Sequence, residues 1–174
     1  MRWMTGALAV CLAILPTGCK RQKVQVQQTV EEGPRMASAI RMGDVKQEPQ
    51  LISGFYGIEG NSWRWVARKF TVVLRPPFGA SQKGGTLQLN LTVPPVVIEN
   101  LKNVSLSASI DGNPLPPETY TQTGPSTYKR DVPASLLGGD SVKVDFELDK
   151  AMPPTAQDRR ELGVVVNGVS LESK

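Results

Sequence analysis

Hydrophobic and polar residues alternate along several short stretches of this chain. Leu87, Leu89, Leu91 and Val93 are separated by Gln88, Asn90 and Thr92 within Thr86–Val93. Val104, Leu106, Ala108 and Ile110 alternate with serines, and Val142, Val144, Phe146 and Leu148 alternate with Lys143, Asp145 and Glu147. A period of two puts each apolar set on one buried face of a strand. Lys69–Leu74 reads as a fourth strand, ended by Pro76-Pro77. Leu51–Ile58, Trp63–Ala67, Ser126–Val132 and Leu162–Leu171 read as further strands. Asp111-Gly112-Asn113 and Gly138-Gly139-Asp140 carry turn chemistry. Asn167-Gly168 fits either a hairpin turn or a bulge in one long strand. Beyond the first residues no long window has helical periodicity, and Pro133–Leu137 makes one helical turn at most. Short antiparallel strands with such connections predict an all-β fold: a single antiparallel β-sandwich, jelly-roll-like.

The N-terminus departs from this pattern. Arg2 precedes an apolar run from Thr5 to Leu15, and small residues lead to Cys19. These are the charged, apolar and small-residue regions of a secretory signal. The run is shorter than the roughly 20 apolar residues a membrane-spanning helix requires. Leu15-Pro16-Thr17-Gly18-Cys19 resembles the bacterial lipobox, although Pro16 stands where that motif has an aliphatic residue, usually Leu. The resemblance implies a signal peptide helix over residues 1–18, acylation of Cys19 (palmitate among the chains) and the lipid bilayer as a partner. It implies a place in the bacterial cell envelope, on the outer membrane or the outer face of the inner one. Residues 19–38 are polar and Gln-rich, with too little apolar surface to offset the entropy of ordering, so they read as a disordered tether. Residues 39–174 are then the sandwich.

Charge and rare residues narrow the function. The chain carries 20 Lys and Arg against 16 Asp and Glu. Its densest basic cluster, Lys20-Arg21-Gln22-Lys23, follows Cys19 and suits anionic headgroups; no basic stripe with interleaved aromatics points to nucleic acid. The cysteines are Cys11, inside the leader, and Cys19, so the mature chain has no pair for a disulfide or a thiolate metal site. There is no histidine. That excludes imidazole-based nucleophilic catalysis and His-ligated metals. No cofactor and no metal are expected, and any catalysis would rest on carboxylates, Lys or Tyr.

Two segments concentrate candidate chemistry. Gly54–Trp65 holds Tyr56, Glu59, Trp63, Arg64 and Trp65. On a strand the two tryptophans share one face and Arg64 takes the other. Such a pair packs in a core or against a sheet edge. The same rings beside Arg, Glu and Asn also serve sugar recognition, stacking on a pyranose while charged groups take its hydroxyls. The second segment, Pro153–Val166, leads a charged cluster of Asp158, Arg159, Arg160 and Glu161 into an apolar strand. It reads as a solvated rim or a structural ion pair, with Arg160 or Glu161 meeting Glu59 or Arg64 as the more informative possibility.

Gly-Phe-Tyr-x-x-Glu, Trp-Arg-Trp and Asp-x-Arg-Glu-Leu-Gly-Val-Val-Val together resemble a β-sandwich domain of uncharacterised bacterial envelope proteins. That domain is also appended to some glycosyltransferases of surface-polysaccharide synthesis and is similar to carbohydrate-binding modules. The resemblance spans about residues 39–172 and implies a non-catalytic module that binds a saccharide or another envelope component. The candidate ligand-binding residues of the two segments are Tyr56, Glu59, Trp63, Arg64, Trp65, Asp158, Arg160 and Glu161. The alternatives are a structural or protein-interaction module of an envelope complex, and a glycoside hydrolase using Glu59 with Glu161.

Overall fold

Alternation in the sequence becomes alternation of burial in the computed structural model, which describes residues 36–174. The predicted signal helix, Cys19 and residues 20–35 lie outside the described residues. In β4 (Gly85–Val93) Leu87, Leu89, Leu91 and Val93 are buried, and Gln88, Asn90 and Thr92 are not. β5 (Val104–Ile110) and β8 (Val142–Leu148) repeat the pattern. The other strands are β1 (Ala39–Arg41), β2 (Leu51–Glu59), β3 (Trp63–Leu74), β6 (Asn113–Tyr120), β7 (Gly124–Val132) and β9 (Val165–Ser173).

β3 is the pivot of the topology. Its C-terminal half, Lys69–Leu74, pairs with β8, whereas Arg64 and Trp65 pair with β9. One half of the molecule runs β6-β5-β8-β3 with β2 added on β3, and the other runs β7-β4-β9 with β1 on the far side of β9. The halves face each other: the Tyr128 ring of β7 meets Phe146 of β8 edge-on at 6.4 Å, and Phe146 stacks on Phe70 at 4.9 Å. Strand order β1-β9-β4-β7 over β3-β8-β5-β6 is that of a jelly roll, built of antiparallel pairs.

Several elements differ from the sequence reading, each for a physical reason. Trp63–Ala67 and Lys69–Leu74 are one strand, continuous through exposed Arg68. The last strand starts at Val165, because Leu162 is first bridged to Met152 by backbone bonds of 2.8 and 3.0 Å. At Asn167 the strand bulges: Asn90 pairs with Gly168 and Leu91 with Val166. β6 carries Pro114, Pro116 and Pro117 and shows no alternation, which is tolerated because it is an edge strand. Its turn from β5 has φ of 47° at Asp111 and 84° at Gly112, the left-handed pair that a two-residue hairpin requires. Two short helices, α1 (Ala80–Lys83) and α2 (Pro95–Leu101), fall below the length at which a periodicity shows. At Pro133–Leu137 the chain makes a single 3₁₀ turn.

The N-terminal edge of the domain is pinned by Gln50, one of the buried polar residues. Its amide accepts from Ala37 N at 2.9 Å and donates to Ala37 O and Val73 O at 3.0 and 2.7 Å. Leu171 N donates to Ser38 O. Ala37 and Ser38 are therefore part of the sandwich, two residues before the boundary drawn from composition.

Candidate functional site

The β2–β3 hairpin and the segment that leads into β9 bring four of the nominated residues together. Arg160 is the hub. Its Nη1 donates to Glu59 at 2.7 Å, and its Nε and Nη2 donate to Asp158 at 3.0 and 2.8 Å. The guanidinium lies over the Tyr56 ring, 5.3 Å from its centroid. The bidentate fork and the ring hold its plane in one orientation. Asp158 is itself placed by a turn: its N–H donates to Thr155 Oγ1 and its carbonyl accepts from Thr155 N. The hydrogen bonds from Arg160 hold the Asp158 carboxyl below its ordinary range, and those to Asp158, then Glu59, hold the guanidinium proton more tightly than usual.

The side chains of Arg160, Glu59 and Asp158 keep 34, 36 and 34 % of their exposure. They are fixed by one another yet open to solvent on one side. Most of the guanidinium donors are engaged, so the free capacity at this point is acceptor capacity on two carboxylates, beside an aromatic ring. That set suits a ligand rich in hydroxyl donors.

Next to it lies a groove of about 330 Å³, lined by Val96, Leu101, Met152 and Leu162 and ending at Asp158 and Arg160. Its size is within the roughly 300–1,000 Å³ of small-molecule pockets. The sequence reading did not find this groove. One wall comes from α2, a seven-residue helix, and the rest from the segment Met152–Leu162, which has no period at all.

The remaining nominated residues have other places. Arg64 is the corrected one. It is 4 % exposed and its guanidinium donates to Met42 O, Tyr56 O and Glu48 at 3.0–3.3 Å. The alternation was read correctly in that Arg64 and the tryptophans face opposite ways, but it is the arginine that points inward. It ties the hairpin to Met42 and Glu48, and that carboxylate partner carried no sequence signal. Glu161 accepts from Arg68 N at 3.0 Å, tying the approach to β9 onto β3. Trp63 and Trp65 are half-buried on the outer face; Trp65 packs against the core cluster. Cys19 lies outside the described residues.

The Asp-x-Arg-Glu-Leu-Gly motif thus has a structural meaning at every position. Asp158 and Arg160 form the ion pair, Glu161 bonds β3, and Leu162 bridges Met152. Gly163 must lack a side chain, since a Cβ there would stand 2.4 Å from Leu148 Cδ1 and 3.0 Å from Val66 O. Glu59 and Glu161, the carboxylates nominated for glycoside hydrolysis, are engaged by Arg160 and by the Arg68 amide respectively. Each carboxylate thus has a structural partner on a different segment of the chain.

No family model matches this chain, and no curated protein sequence does. Solved structures do resemble it. A family GH115 4-O-methyl-α-glucuronidase with specificity for decorated arabinogalactans superposes with a TM-score of 0.51 at 13% identity, over 93% of this chain. The match spans only 19% of that enzyme. The carbohydrate-binding module TmCBM27, described for specific mannan recognition, gives a TM-score of 0.47 at 11% identity, over 80% of this chain and 97% of its own. A CBM4 structure gives 0.40 at 11% identity, over 83% and 90%. At such identities the likeness is one of fold: this chain has the antiparallel β-sandwich that occurs as one part of a much larger carbohydrate-active enzyme.

Proposed function

We propose that this chain is a lipid-anchored envelope protein whose sandwich is a non-catalytic binding module for a saccharide or another envelope component. The observation that carries the reading is the Glu59–Arg160–Asp158 network. It is prefabricated, one-third exposed, backed by Tyr56 and continuous with an apolar groove. A rigid array of carboxylate acceptors takes pairs of sugar hydroxyls without a further ordering cost, and the groove and the outer-face tryptophans supply surface for the apolar side of a ring. The lipobox-like sequence before Cys19 supports anchoring, in the outer membrane or on the outer face of the inner membrane.

The test is glycan-array binding by residues 20–174, followed by titration of the best glycan. Arg160→Gln is expected to weaken it about tenfold, the size of a lost charged hydrogen bond. Trp63→Ala is expected to weaken it with an unchanged unfolding midpoint. Trp65→Ala is the poorer probe, because its packing against the core makes it destabilising as well. No retention of any envelope or cell-wall glycan would sink the saccharide reading. The apolar wall of Val96, Leu101, Met152 and Leu162 favours one alternative, a protein-interaction module. Capture of one stable envelope protein, abolished by Val96→Asp at an exposed position of the groove, with no glycan retained, would establish that instead.

A further inference from the structure

At the opposite end of β3 from Trp63, the chain leaves the sheet through Arg75-Pro76-Pro77 and presents Phe78 at 102% exposure. Scattered surface hydrophobes are ordinary, and a lone phenylalanine would mean little. Three further observations set this one apart. The loop is stiff: two prolines fix its φ angles, and Ala80 N donates to Pro77 O at 3.1 Å to close the turn beneath Phe78. Met36, itself 38% exposed, shares a hollow with Pro76, Pro77 and Phe78. Arg75 lines the same hollow and Lys83 ends the short helix that follows the loop; both are exposed, and neither forms an ion pair among the described residues. Asp140 is the acid across the loop.

The chain's own path identifies the occupant of this apolar, basic-rimmed tip. The described fold begins at Met36, and Gln50 together with Arg75 N, which donates to Ala37 O at 3.1 Å, fastens that point beside the Phe78 loop. Counting back, residues 20–35 join it to Cys19 and can reach at most roughly 55 Å however they are arranged. If Cys19 is acylated, the Phe78 end is the part of the domain tied most directly to the bilayer.

We infer that the Arg75–Gly79 loop is a second membrane contact, with Phe78 entering the interface of an anionic bilayer while Arg75 and Lys83 meet the headgroups. This rests on the reading of Cys19 as the anchor. An apolar group at the interface with cations around it is a general device for surface binding, and a single anchor is strengthened by a second, weak one. Docked in this way, the domain turns its other end outward. Trp63 and Glu59 are about 36 Å from Leu74 along the 12-residue strand β3.

The test uses the one cysteine left once residues 1–18 are removed. Residues 19–174, which contain the whole described core, are coupled through Cys19 to a maleimide lipid in vesicles, supplying the anchor chemically. The vesicles are phosphatidylcholine with phosphatidylglycerol, or phosphatidylcholine alone, and contain brominated acyl chains. Phe78→Trp is expected to show a blue-shifted, quenched emission component absent from the parent, whose Trp63 and Trp65 are the background. Quenching should fall severalfold on phosphatidylcholine alone and with Arg75→Gln plus Lys83→Gln. Uncoupled protein with Phe78→Asp should partition onto the mixed vesicles about tenfold less than the parent. An unchanged unfolding midpoint shows that each variant is folded. Phe78→Trp emission no more quenched than the parent's would overturn the inference. So would Phe78-dependent dimerisation in solution without quenching, which assigns the tip to self-association. Labelled palmitate incorporation in cells, compared with Cys19→Ser, tests the anchor separately: its failure removes the lipoprotein reading whatever the vesicles show.

Discussion

The two ends of β3 put the same kinds of residue to opposite use. At the Trp63 end, charges are gathered and partnered: Arg64 is buried on carbonyls and Glu48, and Arg160 is held between Glu59 and Asp158. At the Leu74 end, Arg75 flanks the apolar tip of Phe78 and Lys83 ends the helix beyond it, neither in an ion pair among the described residues. A charge network that is both rigid and open favours recognition of a hydroxylated ligand. Exposed cations next to an exposed ring, without an ion pair among the described residues, suit a diffuse, fluid surface. What separates the ends is thus the partnering of the charges more than their number.

The comparison can be broken most forcefully at Arg64. Arg64→Ala strands the buried carbonyl of Met42 and the half-buried one of Tyr56, at about 1–3 kcal/mol for each unsatisfied group, so the fold should lose about 3 kcal/mol in denaturant titration. Glu48 adds little to that figure, since its side chain is 60% exposed and rehydrates. Loss of under about 1 kcal/mol would mean that Arg64 is not the structural centre of this end. Arg64→Lys should restore only part of the loss, because an ammonium lacks the fork.

Arg160→Gln is expected to cost about 1 kcal/mol, the scale of a partly exposed pair, while affecting ligand binding more than stability. Its pH signature is specific. Asp158 is held below the ordinary aspartate value of 3.8 by Arg160. A carboxyl with a lowered folded-state pKa stabilises the fold above its ordinary pKa, and that contribution disappears as pH falls through the lowered value. Carbon-detected NMR should therefore find Asp158 titrating below 3.8, and Arg160→Gln should return it to the ordinary range. An unshifted Asp158 in the parent would mean the fork is not formed in solution. By contrast Phe78→Asp should leave stability unchanged within about 0.5 kcal/mol, as befits a fully exposed side chain.

A further contrast in how polar groups are partnered lies at the β6–β7 edge, away from both ends. Tyr128 Oη donates to Pro116 O at 2.8 Å, while the buried Tyr120 Oη has no hydrogen-bond partner among the described residues. Burial pushes both phenols up, Tyr120 the further. Tyr128→Phe should cost about 1 kcal/mol, and Tyr120→Phe should be neutral or slightly stabilising. Equal costs in thermal unfolding would contradict the difference in their surroundings.

How far the sequence reaches follows from which forces are periodic along it. Burial in a sheet repeats every second residue, so the strands β4, β5 and β8, the antiparallel sandwich and the turn at Asp111-Gly112 are legible directly. The same rule placed Trp63 and Trp65 opposite Arg64. It could not say which side is inside, because that depends on what β2, the 45–50 turn and Glu48 bring to the arginine. The meeting of Arg160 with Glu59, 101 residues apart, was visible as an option and not as a distance. The groove beneath α2 and the seating of Met36 beside Phe78 left no trace at all. Each joins short, aperiodic segments that come together only when the strands between them are in register. Local pattern therefore determined the layers of this protein. Its sites were decided by tertiary structure, since a charge or a ring acquires its role from neighbours that the chain order does not reveal.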